Sequence, residues 1–510
     1  MSFWEILLWT SLASLLTTLL GGLYAMGTFR VRKTREPPLD KGFIPWLGYA
    51  INFKKDPVQF LQRMRKKHGD VFTVLVGGNY LHFVMDPHTY RHIVKEPKNK
   101  LDFYMFASVI VFNAFGFHSS ECHHKIVQTF SNKYLSGQNL STLNQVMMAN
   151  LQKVLFHRQE QKRSWQQDGV LHFSYRNMFQ AAYLTLFGTE PEGGVEKKDA
   201  VKENELTHYG EMFEAFQRFD RFFPQMAFSL LDPLGKRETQ RLKNIFWDIL
   251  SLEKVYQKDN ISSWVLEQDK RMAEVGMTEK VRTRFLFLLL WASQANTGPA
   301  TFWILVHLLK HPEAMEAVRE EVDEALREAG QEVKPGCPIG NVTLSALKTP
   351  FLESAIEETL RLKTSPFLFR SVMQDTDIKT SDGREYTLRK GDHLLLFPFL
   401  ALHMDPEIYP DPHVFQYDRF ISPNGTKKEF YKDGIKLKHS TMPFGAGPSM
   451  CPGRFFAMSE MKIFVILMLT YFDMELVKKE EEIPAIDARR YGFGTAHPSH
   501  DIQFRYRLRF

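Results

Sequence analysis

The chain has 510 residues, 44% hydrophobic and 13% aromatic, enough for one large domain or about three ordinary ones. Its 65 Lys and Arg against 59 Asp and Glu give +6, too slight a surplus for a nucleic-acid binder, though a local basic face for an acidic partner stays open. Its three cysteines, Cys122, Cys337 and Cys451, form neither a disulfide framework nor a zinc pattern and fit a reducing compartment.

Ile6 to Met26 carries no charge and is mostly apolar. At about 1.5 Å per residue it spans roughly 30 Å, one membrane crossing. Arg30, Arg32, Lys33 and Arg35 follow at once and assign that end to the cytosol. Glu5, rather than a cation, precedes the run, unlike a cleaved signal peptide. Residues 1–29 are therefore expected as a transmembrane anchor. Residues 30–48, with Pro37, Pro38 and Pro45, are expected as a basic stretch and stiff hinge, and 49–510 as the catalytic domain.

Val71 to Val76 and Tyr80 to Met85 read as strands around Gly77-Gly78-Asn79. Leu101 to Phe117 is unusually apolar for a connection. Glu121 to Leu135 carries His123-His124-Lys125, expected as a solvated helix face. In Glu211 to Leu231, Phe213, Phe216, Phe219, Phe222, Phe223 and Met226 recur at helical spacing. Val281 to Lys310 reads as one long helix holding Trp291, Ala295, Asn296 and Thr297. Gly298-Pro299 is expected to bend it and free carbonyls that hold water. Cys337, in a loop at 334–338, is expected to have no role.

Glu358 and Arg361 share one helix face. Ser365 to Arg370 should lead from helix into sheet, and Arg419 lies in Phe415 to Phe420. Lys427, Lys428, Lys432, Lys436 and Lys438 precede a loop of glycines and prolines, Phe444 to Arg454. Cys451 lies in that loop, just ahead of an apolar helical run from Phe455 to Phe472. A helix N-terminus stabilises a thiolate, and Gly445, Gly447 and Gly453 let a flat ligand approach the backbone. Tyr491 to Thr495 reads as a turn between terminal strands.

Phe444-x-x-Gly447-x-x-x-Cys451-x-Gly453 resembles the haem-binding signature of the cytochrome P-450 family, haem-thiolate monooxygenases. Glu358-x-x-Arg361 with Arg419 resembles that family's buried proximal network, and the likeness runs from Pro37 to the end. It implies a mainly α fold with small β-sheets (α+β), a single large haem domain behind the anchor. It implies haem b (iron protoporphyrin IX) with Cys451 as axial iron ligand and Phe444, Gly447 and Gly453 in the haem loop. Ser449 stands where the family has a propionate-binding Arg or His, so Arg370 is expected to anchor a propionate. The family's Trp-x-x-x-Arg is missing near His124 and Lys125, which become weaker candidates.

The family's acid and Thr slots hold Ala295 and Asn296, with Thr297 one place late. Asn296 and Thr297 are expected to be catalytic by ordering oxygen or water, though Asn cannot titrate. Trp291, Ala295, Pro366, Phe367 and Thr495 are expected to line the substrate pocket. Trp291 to Pro299, Cys451 to Ala457 and Tyr491 to Thr495 with Pro498 to Asp501 resemble the sterol-hydroxylating branch. That likeness implies C12 hydroxylation of 7α-hydroxycholest-4-en-3-one in bile acid synthesis. O2 is then the co-substrate. Electrons come from NADPH through NADPH-cytochrome P-450 reductase docked on the lysine-rich stretch, with cytochrome b5 as a second donor. The expected setting is the endoplasmic reticulum membrane, crossed once, with the catalytic domain cytosolic and in contact with lipid. Sterol 7α-hydroxylation, an endoperoxide isomerase needing neither O2 nor reductase, and a non-enzymatic membrane-tethered haem carrier or sensor stay open.

Overall fold

The computed structural model describes residues 2–25, 27–157, 164–191, 198–331, 333, 339–340, 344 and 347–509. Met26, the loop at 334–338 with Cys337, and Asn341 lie outside the described residues. The chain is mainly helical with small sheets, as expected. It divides into two compact units, each built from separated segments. The first takes Met1–Phe106, Pro366–Ile408 and Lys432–Thr441. The second takes Ala107–Ser365, Tyr409–Tyr431 and Met442–Phe510. No change of composition marks where the chain passes between the units.

In the first unit, helix Phe3–Ala25 is 23 residues long, about 35 Å at the helical rise. Its apolar side chains are exposed, Leu8 at 64% and Leu15 at 68%. Among the described residues it alone is long and apolar enough to cross a membrane, the length and composition that a membrane anchor requires.

A mixed six-stranded sheet follows the spatial order Leu39–Asp40, Val71–Val76, Asn79–Val84, His393–Leu396, Leu368–Val372, Leu101–Asp102. The expected hairpin is present, with Val76 opposite Asn79. Gly77 and Gly78 have φ of 53° and 80°, the positive values that a two-residue turn between twisted strands requires.

Residues 30–48 do not form a free hinge. Leu39–Asp40 pairs in parallel with Val71–Val76. Arg30 is buried, donating to Asp392 at 2.6 Å, and Arg389 grips Glu36. His82, fully buried, bonds Asp392 through Nε2 at 2.9 Å and Thr73 through Nδ1 at 2.7 Å. The prolines keep this segment extended, and the buried charges dock it. Phe53, Phe83, Phe367 and Phe397 form an aromatic core beneath the sheet.

The second unit is built around helix Thr297–Lys310, buried from Thr297 to Leu308. It packs on Val170–Phe187, Pro350–Lys363 and Arg454–Tyr471. The phenylalanine stripe falls on helix Lys198–Ala227, where Phe213, Phe216 and Phe219 are fully buried. Phe219 meets Phe287 at 4.7 Å, and Phe223 stacks on Trp291 at 3.9 Å. Phe472–Leu476, Gln503–Leu508 and Gln166–Gly169 form an antiparallel sheet.

The long helix expected over 281–310 is two helices, Glu279–Gln294 and Thr297–Lys310. The break falls at Ala295–Asn296, ahead of Gly298-Pro299. Pro299 lies in the first turn of the second helix, where no N–H has an intrahelical acceptor, so it costs no hydrogen bond. Gly298 has a packing reason: a Cβ there would overlap the Tyr175 ring.

Candidate active site

Helix Arg454–Tyr471 starts directly after the cysteine loop, with Gly453 as N-cap. Cys451 N–H donates to Phe444 O at 2.9 Å, closing the loop. Gly447–Ser449 forms a short 3-10 turn inside it. Burial pushes the Cys451 thiol up; the backbone N–H groups of Gly453 and Arg454 and the Arg454 guanidinium pull the other way. Burial and the helix-start donors thus act on the thiolate in opposite directions. The donors aimed at sulfur nonetheless suit an anionic ligand atom, and a Cβ on Gly453 would meet Sγ at 3.9 Å. A soft thiolate with backbone N–H support and an open flank fits a haem iron.

Three expected network residues meet in the second unit. Arg361 grips Glu358 with two bonds of 2.7 and 2.8 Å, and Arg419 Nε donates to Glu358 Oε1 at 2.8 Å. The arginines also donate to Pro412 O and to Pro410 O and Val414 O. Glu358 and Arg361 are fully buried and Arg419 is 4% exposed. Such a charge cluster is held by complete hydrogen bonding, and removing one partner typically costs about 3–5 kcal/mol.

At the helix break, Asn296 makes no cap bond with its own helix. Its Oδ1 instead accepts from Thr495 N at 2.9 Å. Gly494, with φ of 93°, brings the tail this close: a Cβ there would overlap Oδ1. Thr297 Oγ1 donates to Ser293 O at 3.1 Å. Glu460, buried on the cysteine helix, is pushed well above the usual carboxylate range by burial, against hydrogen bonds from Gln294 and Thr297. Glu460 thus lies on the cysteine helix beside Gln294 and Thr297 of the break.

Ala295 is buried, and its carbonyl bonds His497. Burial and the Arg490 charge push His497 down to about 4, so the ring is neutral near pH 7. Its Nε2 lies 3.3 Å from Asp220 Oδ2. Asp220 also accepts Trp291 Nε1 at 2.8 Å and pairs with Arg490. Trp291, Ala295, Asn296, Thr297 and Thr495 are therefore brought together. Asp220, Glu460, Arg490 and His497 hold them and were missed by sequence reading, since separate segments supply them.

The twin histidines are not both solvated. His123 is buried at 7% exposure, and its Nδ1 accepts from Ser120 N at 3.1 Å. That bond puts the ring proton on Nε2, a buried donor with no partner among the described residues. His124 bonds Ser119 Oγ at 3.2 Å, and exposed Lys125 pairs with Glu121. His123, rather than its neighbours, offers a buried donor to an acidic group.

Other expected residues belong to the first unit. Arg370 is buried and donates to Phe369 O at 2.7 Å; burial pushes it down to about 10 against the pull of Asp102 and Tyr104. Phe367, next to Pro366, lies in the aromatic core, 4.4 Å from Phe397 and 5.5 Å from Phe53. The lysine run is divided between units: Lys427 pairs with Glu357 in the second, Lys432 with Asp405 in the first. These lysines have acidic partners of their own, which sequence spacing did not reveal.

The cytochrome P450 family model matches residues 37–504. The chain is 46% identical over 507 residues to "7-alpha-hydroxycholest-4-en-3-one 12-alpha-hydroxylase" of Oryctolagus cuniculus, covering 98% of this chain and 99% of the relative. The Homo sapiens protein of that name is 45% identical over 502 residues, with 98% of each chain covered. Prostacyclin synthase of Homo sapiens is 42% identical over 483 residues, covering 94% of this chain and 95% of that one. With these matches spanning nearly its whole length, the chain belongs to the cytochrome P450 family, as a haem monooxygenase using O2 and electrons from a reductase.

Proposed function

We propose that the protein is a microsomal sterol 12α-hydroxylase, converting 7α-hydroxycholest-4-en-3-one to its 12α-hydroxy product on the way to cholic acid. The observation that carries this is likeness to a 12α-hydroxylase along 98% of the chain. NADPH is the electron source, through NADPH-cytochrome P-450 reductase with cytochrome b5 as a second donor. The setting is the endoplasmic reticulum membrane, with the folded units cytosolic.

Haem b is held through Cys451, with Phe444 and Gly447 shaping the loop and Gly453 leaving the sulfur's flank open. His123 Nε2–H and Arg370 serve as propionate donors, a task Ser449 lacks the charge for. Bound there, a thiolate-ligated haem supplies oxygen activation. The chain's own residues position and protonate. Oδ1 of Asn296 is engaged by Thr495, so its Nδ2 is left to orient water at the break. Thr297 and Glu460 hold the break from the cysteine-helix side, and His497 holds the Ala295 carbonyl. Trp291, fixed by Asp220 and Phe223, presents an apolar wall to the sterol.

A second reading, endoperoxide isomerisation, is favoured by one observation: Ala295 and Asn296 provide no titratable group where protons must be delivered. Product analysis by mass spectrometry separates the two. Full-length protein in membranes with reductase should add one oxygen atom at C12 of the sterol, only with NADPH and O2. An untouched sterol, with an endoperoxide consumed without NADPH, would overturn the proposal.

A further inference from the structure

Away from the break and the cysteine loop, the second unit gathers three side-chain donors with no acidic partner. Lys243 and Trp247 are four residues apart on helix Pro233–Ile249, and so share a face. Arg284, on helix Glu279–Gln294, lies 4.2 Å from the Trp247 ring centre. Lys243 is 8% exposed, and its Nζ donates to Asn113 O at 3.0 Å. Arg284 Nη1 donates to Gly116 O. Trp247 Nε1 is buried and has no acceptor among the described residues.

Both carbonyls close the C-terminal end of helix Tyr104–Phe115. A helix C-terminus carries roughly half a negative charge, which answers only part of two cations. Among the described residues neither cation has a carboxylate within ion-pair distance. Burial and the Arg284 charge push the Lys243 amine down to about 8. Asn113 Nδ2 donates to Ala227 O at 3.2 Å, bringing Phe112 near the turn after residue 227. Phe112, Phe228 and Leu230 are 45%, 48% and 58% exposed.

We propose that Lys243, Trp247 and Arg284 bind the carboxylate or sulfonate of a small acidic amphipath, whose apolar body lies on Phe112, Phe228 and Leu230. An oxyanion would accept from the guanidinium fork, the ammonium and the indole N–H together, the charge-assisted pattern that arginine serves best. A bilayer's phosphate plane is a poor match, because Lys243 is too recessed to reach it. The site goes beyond the sterol reading and does not depend on it: a neutral sterol has no group for it.

The test follows acylation of Lys243 by an amine-reactive ester at about its own pKa, by peptide mass spectrometry on full-length protein in non-ionic detergent. A steroid carboxylic acid should slow Lys243 labelling about tenfold, while its methyl ester and zwitterionic vesicles leave the rate unchanged and other lysines are unaffected. Arg284→Gln should abolish the protection. Trp247→Phe, which keeps the ring and removes only the N–H, should weaken it, and keeps the test open if Arg284→Gln does not fold. Equal protection by acid and ester, full protection in both variants, or protection by anionic vesicles alone would overturn the site.

Discussion

Asn296 occupies an interrupted helix with one half of its amide already engaged. Oδ1 accepts the Thr495 N–H at 2.9 Å, so only Nδ2 is left to orient water. Asn296→Leu keeps the size and removes both functions. Losing positioned proton delivery should lower hydroxylated product by about 10²–10⁴-fold, while NADPH consumption persists as peroxide or water. The buried Thr495 N–H loses its acceptor as well, at about 1–3 kcal/mol. Unchanged coupling of NADPH to product would reduce Asn296 to a clamp for the tail. At this scale the sequence was legible where a motif names a residue, as with Glu358, Arg361 and Arg419, which meet as their spacing suggested. It was silent on His123 and Glu460, whose roles come from burial. Burial is set by elements distant in sequence, so a His-His-Lys triplet reads as solvated until its first histidine is found inside.

Helices and strands were mostly legible because their periods are local. The hairpin over 71–84 and the phenylalanine stripe appear as expected. The helix break was misplaced by three residues, and the cause is physical. A proline disrupts a helix only where its N–H and ring would meet the preceding turn, and at the start of a new helix neither cost arises. Interruption at Ala295–Asn296 is instead held by His497 on the Ala295 carbonyl and Thr495 on the Asn296 amide. Pro299→Ala should therefore leave stability within about 1 kcal/mol, whereas Gly298→Ala should cost about 1–3 kcal/mol or more by overpacking against Tyr175. Denaturant unfolding of the two variants ranks them. A larger loss in Pro299→Ala would return the cause of the break to the proline.

At the scale of the whole molecule, each unit is assembled from segments far apart in the chain. Linear reading has no signal for that division. Within residues 30–48, read as a basic stretch and stiff hinge, the Arg30 side chain is 7% exposed and pairs with Asp392. On the proposed topology the same cations direct membrane insertion before folding, since orientation is read from the emerging chain. Asn139, Asn260 and Asn424 head glycosylation sequons and are exposed. They should stay unmodified in cells if the folded units face the cytosol, and a glycan on any of them, seen as an endoglycosidase-sensitive mass shift, would reverse the orientation.

Everything in the functional account rests on a thiolate from Cys451 reaching haem iron. The most direct measurement is the absorption spectrum of the reduced full-length protein with carbon monoxide, beside Cys451→Ala, His123→Leu and Arg370→Ala. The account predicts the long-wavelength Soret band of thiolate ligation in the parent protein. That band should be kept by His123→Leu and Arg370→Ala, which should lose haem more readily on dilution, and it should be absent from Cys451→Ala. Haem bound with the same band in Cys451→Ala would contradict the assignment, and full haem retention in both propionate variants would remove His123 and Arg370 from the site.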